Sequence, residues 1–73
     1  MQKEIFITTE YITLGQLLKF ANIINNGGEE KAFLANNSVL VNGEMENRRG
    51  RKLRPGDLVK VHEIELKICM SQN

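Results

Sequence analysis

The sequence predicts an α+β fold in which two short helices pack on a small, mostly antiparallel sheet. Three observations support this. First, Leu14, Leu17, Leu18 and Ala21 recur at helical spacing behind Thr13-Leu14-Gly15-Gln16, in which the threonine and glutamine side chains can satisfy the free amides of a helix start. Second, the later half of the chain alternates apolar and polar residues with the period of a strand, at Val39-Leu40-Val41 and over LVKVHEIELKICM from Leu58 to Met70. Third, helices and strands are grouped rather than interleaved, so no strand–helix–strand repeat argues for a parallel α/β sheet.

Taken in order, Lys3 to Thr8 reads KEIFIT, with Ile5 and Ile7 on one face and Phe6 on the other, a first strand. The capped stripe then predicts a helix over about 14–24, with Ile24 extending it. Gly15 either weakens that helix or permits a close approach. Asn25-Asn26-Gly27-Gly28 breaks the pattern and reads as a tight connection. Glu29 and Glu30 suit the start of a second helix over about 29–36, and Asn36-Asn37 suits a left-handed end to it. A strand follows from Ser38 to Asn42. Asn42-Gly43 is a hairpin signal, although Glu44-Met45-Glu46 makes a poor return strand and leaves a wider loop open. Leu53 is placed to anchor the loop to the core. Pro55-Gly56 fits a type II turn, with proline presetting φ and glycine taking the positive value. The apolar parity changes at His62-Glu63, which predicts a bulge or a turn between two strands.

Seventy-three residues make one domain, residues 1–73, and leave no room for a second core. A chain this short buries only roughly 60–65% of the surface its unfolded form exposes, so little core volume can be given up to a catalytic pocket. At 41% hydrophobic and 26% charged residues, the composition is that of a folded chain rather than a disordered one. The single cysteine, Cys69, excludes an internal disulfide and a cysteine-based metal cage, and reads as a small packed residue. The amino-terminal MQKEIFITTEYIT lacks the form of a signal peptide, and no apolar run is long enough to cross a bilayer. The expected compartment is therefore cytoplasmic, with no membrane partner.

Catalysis and metal binding find little footing. The only histidine, His62, falls in a strand pattern with no serine or cysteine at motif spacing, so a strand-surface residue is expected. Asp57 suits a structural role in the Pro-Gly-Asp turn. Glu44 and Glu46 flank the Asn-Gly turn and read as solvated. No His/Cys cluster offers a metal site, and no cofactor is expected. Gly27-Gly28 lacks the spacing of a phosphate-binding loop, and Glu29 and Glu30 oppose an anion there.

Charge distribution is the informative quantity. Net charge is only +1, yet Arg48, Arg49, Arg51, Lys52 and Arg54 place five cations in seven residues, and every arginine of the chain is among them. The rest of the chain holds five lysines against nine acids, or −4. Arginine forks match phosphate oxygens, so the segment reads as a nucleic-acid contact, with a solvated basic loop as the bland alternative. No aromatic residue interleaves the basic run in sequence, which favours shape and phosphate recognition of structured RNA over base stacking.

The order of capped helix, short helix, Ser38-Val39-Leu40-Val41-Asn42-Gly43, basic loop and Leu53-Arg54-Pro55-Gly56-Asp57-Leu58-Val59 resembles the RNA-binding domain of ribosomal protein S4, the alpha-L motif. That domain recurs in bacterial tyrosyl-tRNA synthetases, pseudouridine synthases and a heat-shock ribosome-binding protein. The likeness covers about residues 12–62 and is similar to small stand-alone bacterial copies through TLGQLLKFA, GGEEKAFLAN and VNGEMENRRGRKLRPGD. It implies a non-enzymatic RNA-binding module, with ribosomal RNA or a ribosome-assembly intermediate as the candidate target. Lys19, Lys31, Arg48, Arg49, Arg51, Lys52 and Arg54 are the contacts it implies. Two positions depart from the pattern. Gly27-Gly28-Glu29-Glu30 stands where a basic helix start is common, and Asn37 stands where a glycine is usual. Two other readings compete. A ubiquitin-like sulfur carrier needs a carboxy-terminal Gly-Gly, and this sequence ends Ser71-Gln72-Asn73. A protein-interaction module would dock the basic loop on an acidic protein surface.

Overall fold

In the computed structural model, which describes residues 2–71, the first helix starts where its capping box lies. Helix α1 spans Leu14–Phe20; Thr13 Oγ1 accepts from the Gln16 amide at 3.2 Å, and Gln16 Oε1 accepts from the Thr13 amide at 2.9 Å. The helix ends earlier than the apolar stripe predicts. Asn22 takes φ 60°, its amide donates to the Lys19 carbonyl at 3.0 Å, and the Ile23 amide donates to the Leu18 carbonyl at 2.9 Å. This is a Schellman end with asparagine in the left-handed position. The reversal folds Ile24 back into the core at 6% exposure from a loop rather than from a helix running to residue 24.

Helix α2, Glu30–Asn36, follows a single 3₁₀ turn over Gly27–Glu29. Asn26 Oδ1 accepts from the Gly28 amide at 3.0 Å and Glu29 Oε1 accepts from the Asn25 amide at 2.6 Å. Gly27-Gly28 is thus part of a capped helix start, and the Gly28 amide is already taken. The far end differs from the sequence expectation: Asn37 is extended at φ −135° instead of left-handed. The last carbonyls are satisfied by side chains, with Asn36 Nδ2 donating to Ala32 O at 2.8 Å and Asn37 Nδ2 to Phe33 O at 3.0 Å.

Seven strands among the described residues complete the fold: β1 Gln2–Ile7, β2 Ile12–Thr13, β3 Val39–Val41, β4 Glu44–Met45, β5 Lys52–Leu53, β6 Leu58–Val61 and β7 Ile64–Met70. A five-stranded sheet runs β1-β7-β6-β3-β4, while β2 and β5 form a separate antiparallel ribbon. Within the sheet only β1 and β7 are parallel, with Ile5 opposite Ile68 and Ile7 opposite Met70. The fold is therefore α+β, with the mostly antiparallel sheet that was expected. Asn42 and Gly43, at φ 52° and 87°, form a type I′ turn, and the return strand is only two residues long. His62, at φ 56°, sits in the turn joining β6 to β7 and not on a strand surface as its sequence context predicted; its Nε2 lies 2.9 Å from Asn37 Oδ1.

Leu14, Leu17 and Leu18 of α1 pack with Val39, Val41, Val59, Val61, Leu66 and Ile68 on the inner face of the sheet, each at most 2% exposed. Full burial of one leucine is worth about 1.5–3 kcal/mol, so these three anchor α1 far more firmly than helix propensity does. Leu34 brings α2 to the same core, and Leu53, at 0% exposure, ties the basic segment to it. Cys69 is half-buried on the opposite face of β7. No helix among the described residues is long and apolar enough to cross a membrane.

Candidate nucleic-acid interface

The basic segment is bounded by two turns that are fastened to each other. Asn42 Nδ2 donates to Asp57 Oδ1 at 3.0 Å, and Asn42 Oδ1 accepts from the Leu58 amide at 2.9 Å. Asp57 Oδ2 accepts from the Arg54 amide at 2.9 Å, closing the Pro55-Gly56 turn, in which Gly56 takes φ 101°. The Val-Asn-Gly and Pro-Gly-Asp elements, fifteen positions apart between Asn42 and Asp57, are therefore one clasp at the base of the loop.

Inside the clasp lies Glu46, and here the expectation of a solvated acid fails. Its side chain is 8% exposed and sits beneath two arginines. Arg48 grips it with a fork, Nε to Oε2 at 2.9 Å and Nη2 to Oε1 at 3.1 Å, and adds its backbone amide at 3.0 Å. Arg51 Nη1 donates to Oε1 at 3.1 Å. The Arg48 hydrogen bond is the largest cause that lowers the Glu46 carboxyl from 4.5 to about 2, outweighing the burial that pushes it up. The same contact raises the Arg48 guanidinium above its ordinary value. Glu46 is thus charged at neutral pH, and the five cations with this one acid leave residues 46–54 at +4.

Helix α1 holds the loop from the other side. The Leu14 amide donates to the Arg51 carbonyl at 2.9 Å and the Gly15 amide to the Arg49 carbonyl at 3.0 Å. The first amides of the helix, which have no partner within it, are satisfied by the backbone of the basic segment. The ribbon of β2 and β5 adds pairing between Ile12 and Leu53 and between Thr13 and Lys52.

This pairing also brings in Tyr11. Lys52 Nζ lies 5.0 Å from the centroid of its ring and Arg54 Cζ lies 5.8 Å from it, both within cation–π range. Arg48, Gly50, Arg51, Lys52 and Arg54 line one open cleft of about 390 Å³. Arg48, at 73% side-chain exposure, still presents guanidinium surface to solvent despite its grip on Glu46. Arg49 is exposed, lies outside the cleft lining and has no ion pair among the described residues. The remaining sequence-predicted contacts are not gathered into this cleft. Lys19 pairs with Glu30 at 3.7 Å, and Lys31 is exposed on α2.

Three participants escaped the sequence reading. Glu46 had a local signal, because an acid two positions before an arginine can meet both its fork and its amide. The Asn42–Asp57 clasp had only the pairing of two turn motifs. Tyr11 had none, since it lies 41 positions from Lys52 and only strand pairing joins them.

The sequence model of the S4 domain matches residues 5–69. A relative in Bacillus subtilis (strain 168), a probable ribosome maturation protein, RlbA, is 56% identical over 61 residues, covering 84% of this chain and 86% of that protein. With a capped helix, a second short helix, and a basic loop clasped between Val-Asn-Gly and Pro-Gly-Asp, the chain belongs to the S4 domain family.

Proposed function

We propose that this chain is a non-enzymatic module, one S4-like unit, that binds structured RNA through its phosphate backbone, with ribosomal RNA or a ribosome-assembly intermediate as the target. The observation that carries the reading is the cleft of Arg48, Arg51, Lys52 and Arg54, in which Glu46 presets Arg48 and Arg51 and the amides of α1 hold the backbone of the segment. Cations fixed in place before binding lose less conformational freedom when a phosphate arrives. Arg49 extends the surface, and Lys19 and Lys31 add to it from the helices. Family membership and the ribosome-maturation name of the Bacillus relative support RNA of the ribosome over other anions, and they support a cytoplasmic place of action.

The test is a filter-binding titration of a structured ribosomal RNA fragment across salt. About four phosphate contacts on a duplex-like target give a slope of log affinity against log salt of roughly −3 to −4. Replacing Arg49, Lys52 and Arg54 together by glutamate, which spares the two arginines that hold Glu46, is expected to remove most of the binding while the fold survives. No affinity at low salt, or affinity unchanged in the folded triple variant, refutes the reading.

A further inference from the structure

A concavity lies beside the basic cleft, and Tyr11, which lines it, is in contact with the cleft residues Lys52 and Arg54. It holds about 530 Å³ and is lined by Phe6, Tyr11 and Phe20 together with Glu10, Gln16 and threonines of the loop after β1. Phe6 and Phe20 are each 61% exposed, an unusual outlay of aromatic surface in a chain with only four aromatic residues. No lysine or arginine lines it, and Glu10 does. A phosphate would be repelled there. A neutral, planar group with hydrogen-bonding edges would stack on the rings and meet Glu10 and Gln16 of the lining. The Tyr11 ring also carries Lys52 and Arg54, the cations proposed to hold RNA phosphates. A sugar–phosphate backbone lying on those two cations therefore runs past the mouth of an aromatic pocket.

We infer that this concavity is a subsite for one unpaired nucleobase of the bound RNA, turned out of its stack next to the phosphates held by Lys52 and Arg54. The inference rests on the RNA-binding reading above and adds to it a preference: the RNA carries a bulged or looped nucleotide, not an uninterrupted duplex. It also departs from the sequence expectation, which favoured shape and phosphate recognition over base stacking. Strand pairing supplies the aromatic ring that the basic run lacks in sequence.

The test uses the full chain and two synthetic RNA hairpins of identical stem, one fully paired and one with a single bulged fluorescent adenine analogue. The wild type is expected to bind the bulged hairpin about tenfold more tightly, the order of effect given by one base–aromatic stack, and to quench the analogue. Phe20→Ser, at an exposed position whose change leaves the core intact, is expected to abolish both the preference and the quenching while binding of the paired hairpin stays unchanged. Phe6→Ser is the second variant, so that a defect confined to either protein does not decide the matter. Equal affinity for the two hairpins with no quenching overturns the subsite alone and leaves phosphate binding standing. Failure to bind either hairpin at low salt overturns the RNA-binding reading, and the subsite with it.

Discussion

Glu46 lies 9% exposed beneath two arginines, so replacing it separates the shape of the basic loop from its charge. Glu46→Gln raises the net charge by one yet releases Arg48 and Arg51. Hydrogen bonds to a charged group are worth about 1.5–3 kcal/mol, but Arg48 is largely in water, so a loss of about 1–2 kcal/mol near neutral pH is expected in urea unfolding. The acid limb gives the sharper readout. The folded carboxyl titrates at about 2 against an ordinary 4.5, so the stabilisation is complete above 4.5 and disappears as pH falls towards 2. Stability of the variant is expected to lack that part of the slope, and an identical acid limb in both proteins would show that the contact is not maintained in solution. The clasp makes a second expectation at this scale. Asn42→Ala and Asp57→Ala each remove bonds to both the other side chain and a backbone amide, at about 1–2 kcal/mol apiece. Because they share a bond, the double variant is expected to lose less than the sum, and strict additivity in the cycle would contradict a direct contact.

Between elements, the Glu30 side chain from the start of α2 lies over Gly15 of α1. A Cβ on residue 15 would overlap the Glu30 carboxylate, the movable end of a flexible side chain, so the absence of a side chain at Gly15 leaves room for that acid where it now lies. The same carboxylate sits 3.7 Å from Lys19. The acidic helix start that departs from the family pattern thus masks one cation of the helical surface. Glu30→Gln is expected to unmask Lys19, to raise RNA affinity a few-fold at low salt and to steepen the salt slope by up to about one unit. RNA affinity unchanged in this variant would remove Lys19 from the contact surface. The predicted helix through residue 24 fails for a reason at this same scale. The apolar stripe continues through Ile24, but Asn22 turns the chain, and burial of Ile24 satisfies the stripe from a loop instead.

For the molecule as a whole, the first and last strands pair at one edge of the sheet. β1 pairs in parallel with β7, and Ile7, at 3% exposure, completes the core on that side. Removing residues 1–8 is expected to cost several kcal/mol, from lost apolar burial and from the unpaired edge of β7, a large share of the about 5–15 kcal/mol typical of a folded domain. Loss of the cooperative thermal transition would show it; a transition within a few degrees of the intact chain would mean that β1 is dispensable. The parallel pairing was not legible beforehand, because alternation marks a strand without naming its neighbour.

The sequence by itself determined the fold class, the capped first helix, the two turns around the basic segment and the concentration of every arginine within it. These are local properties: period, capping chemistry, positive-φ residues and charge count are all set by neighbours along the chain. Tertiary structure decided which groups those cations face. Glu46 became a buried anchor because the short return strand β4 carries it under Arg48 and Arg51. Tyr11 joined Lys52 and Arg54 because β2 pairs with β5. The shape of the basic segment therefore depends on contacts made across the fold, which charge counts and spacings along one strand of sequence do not contain.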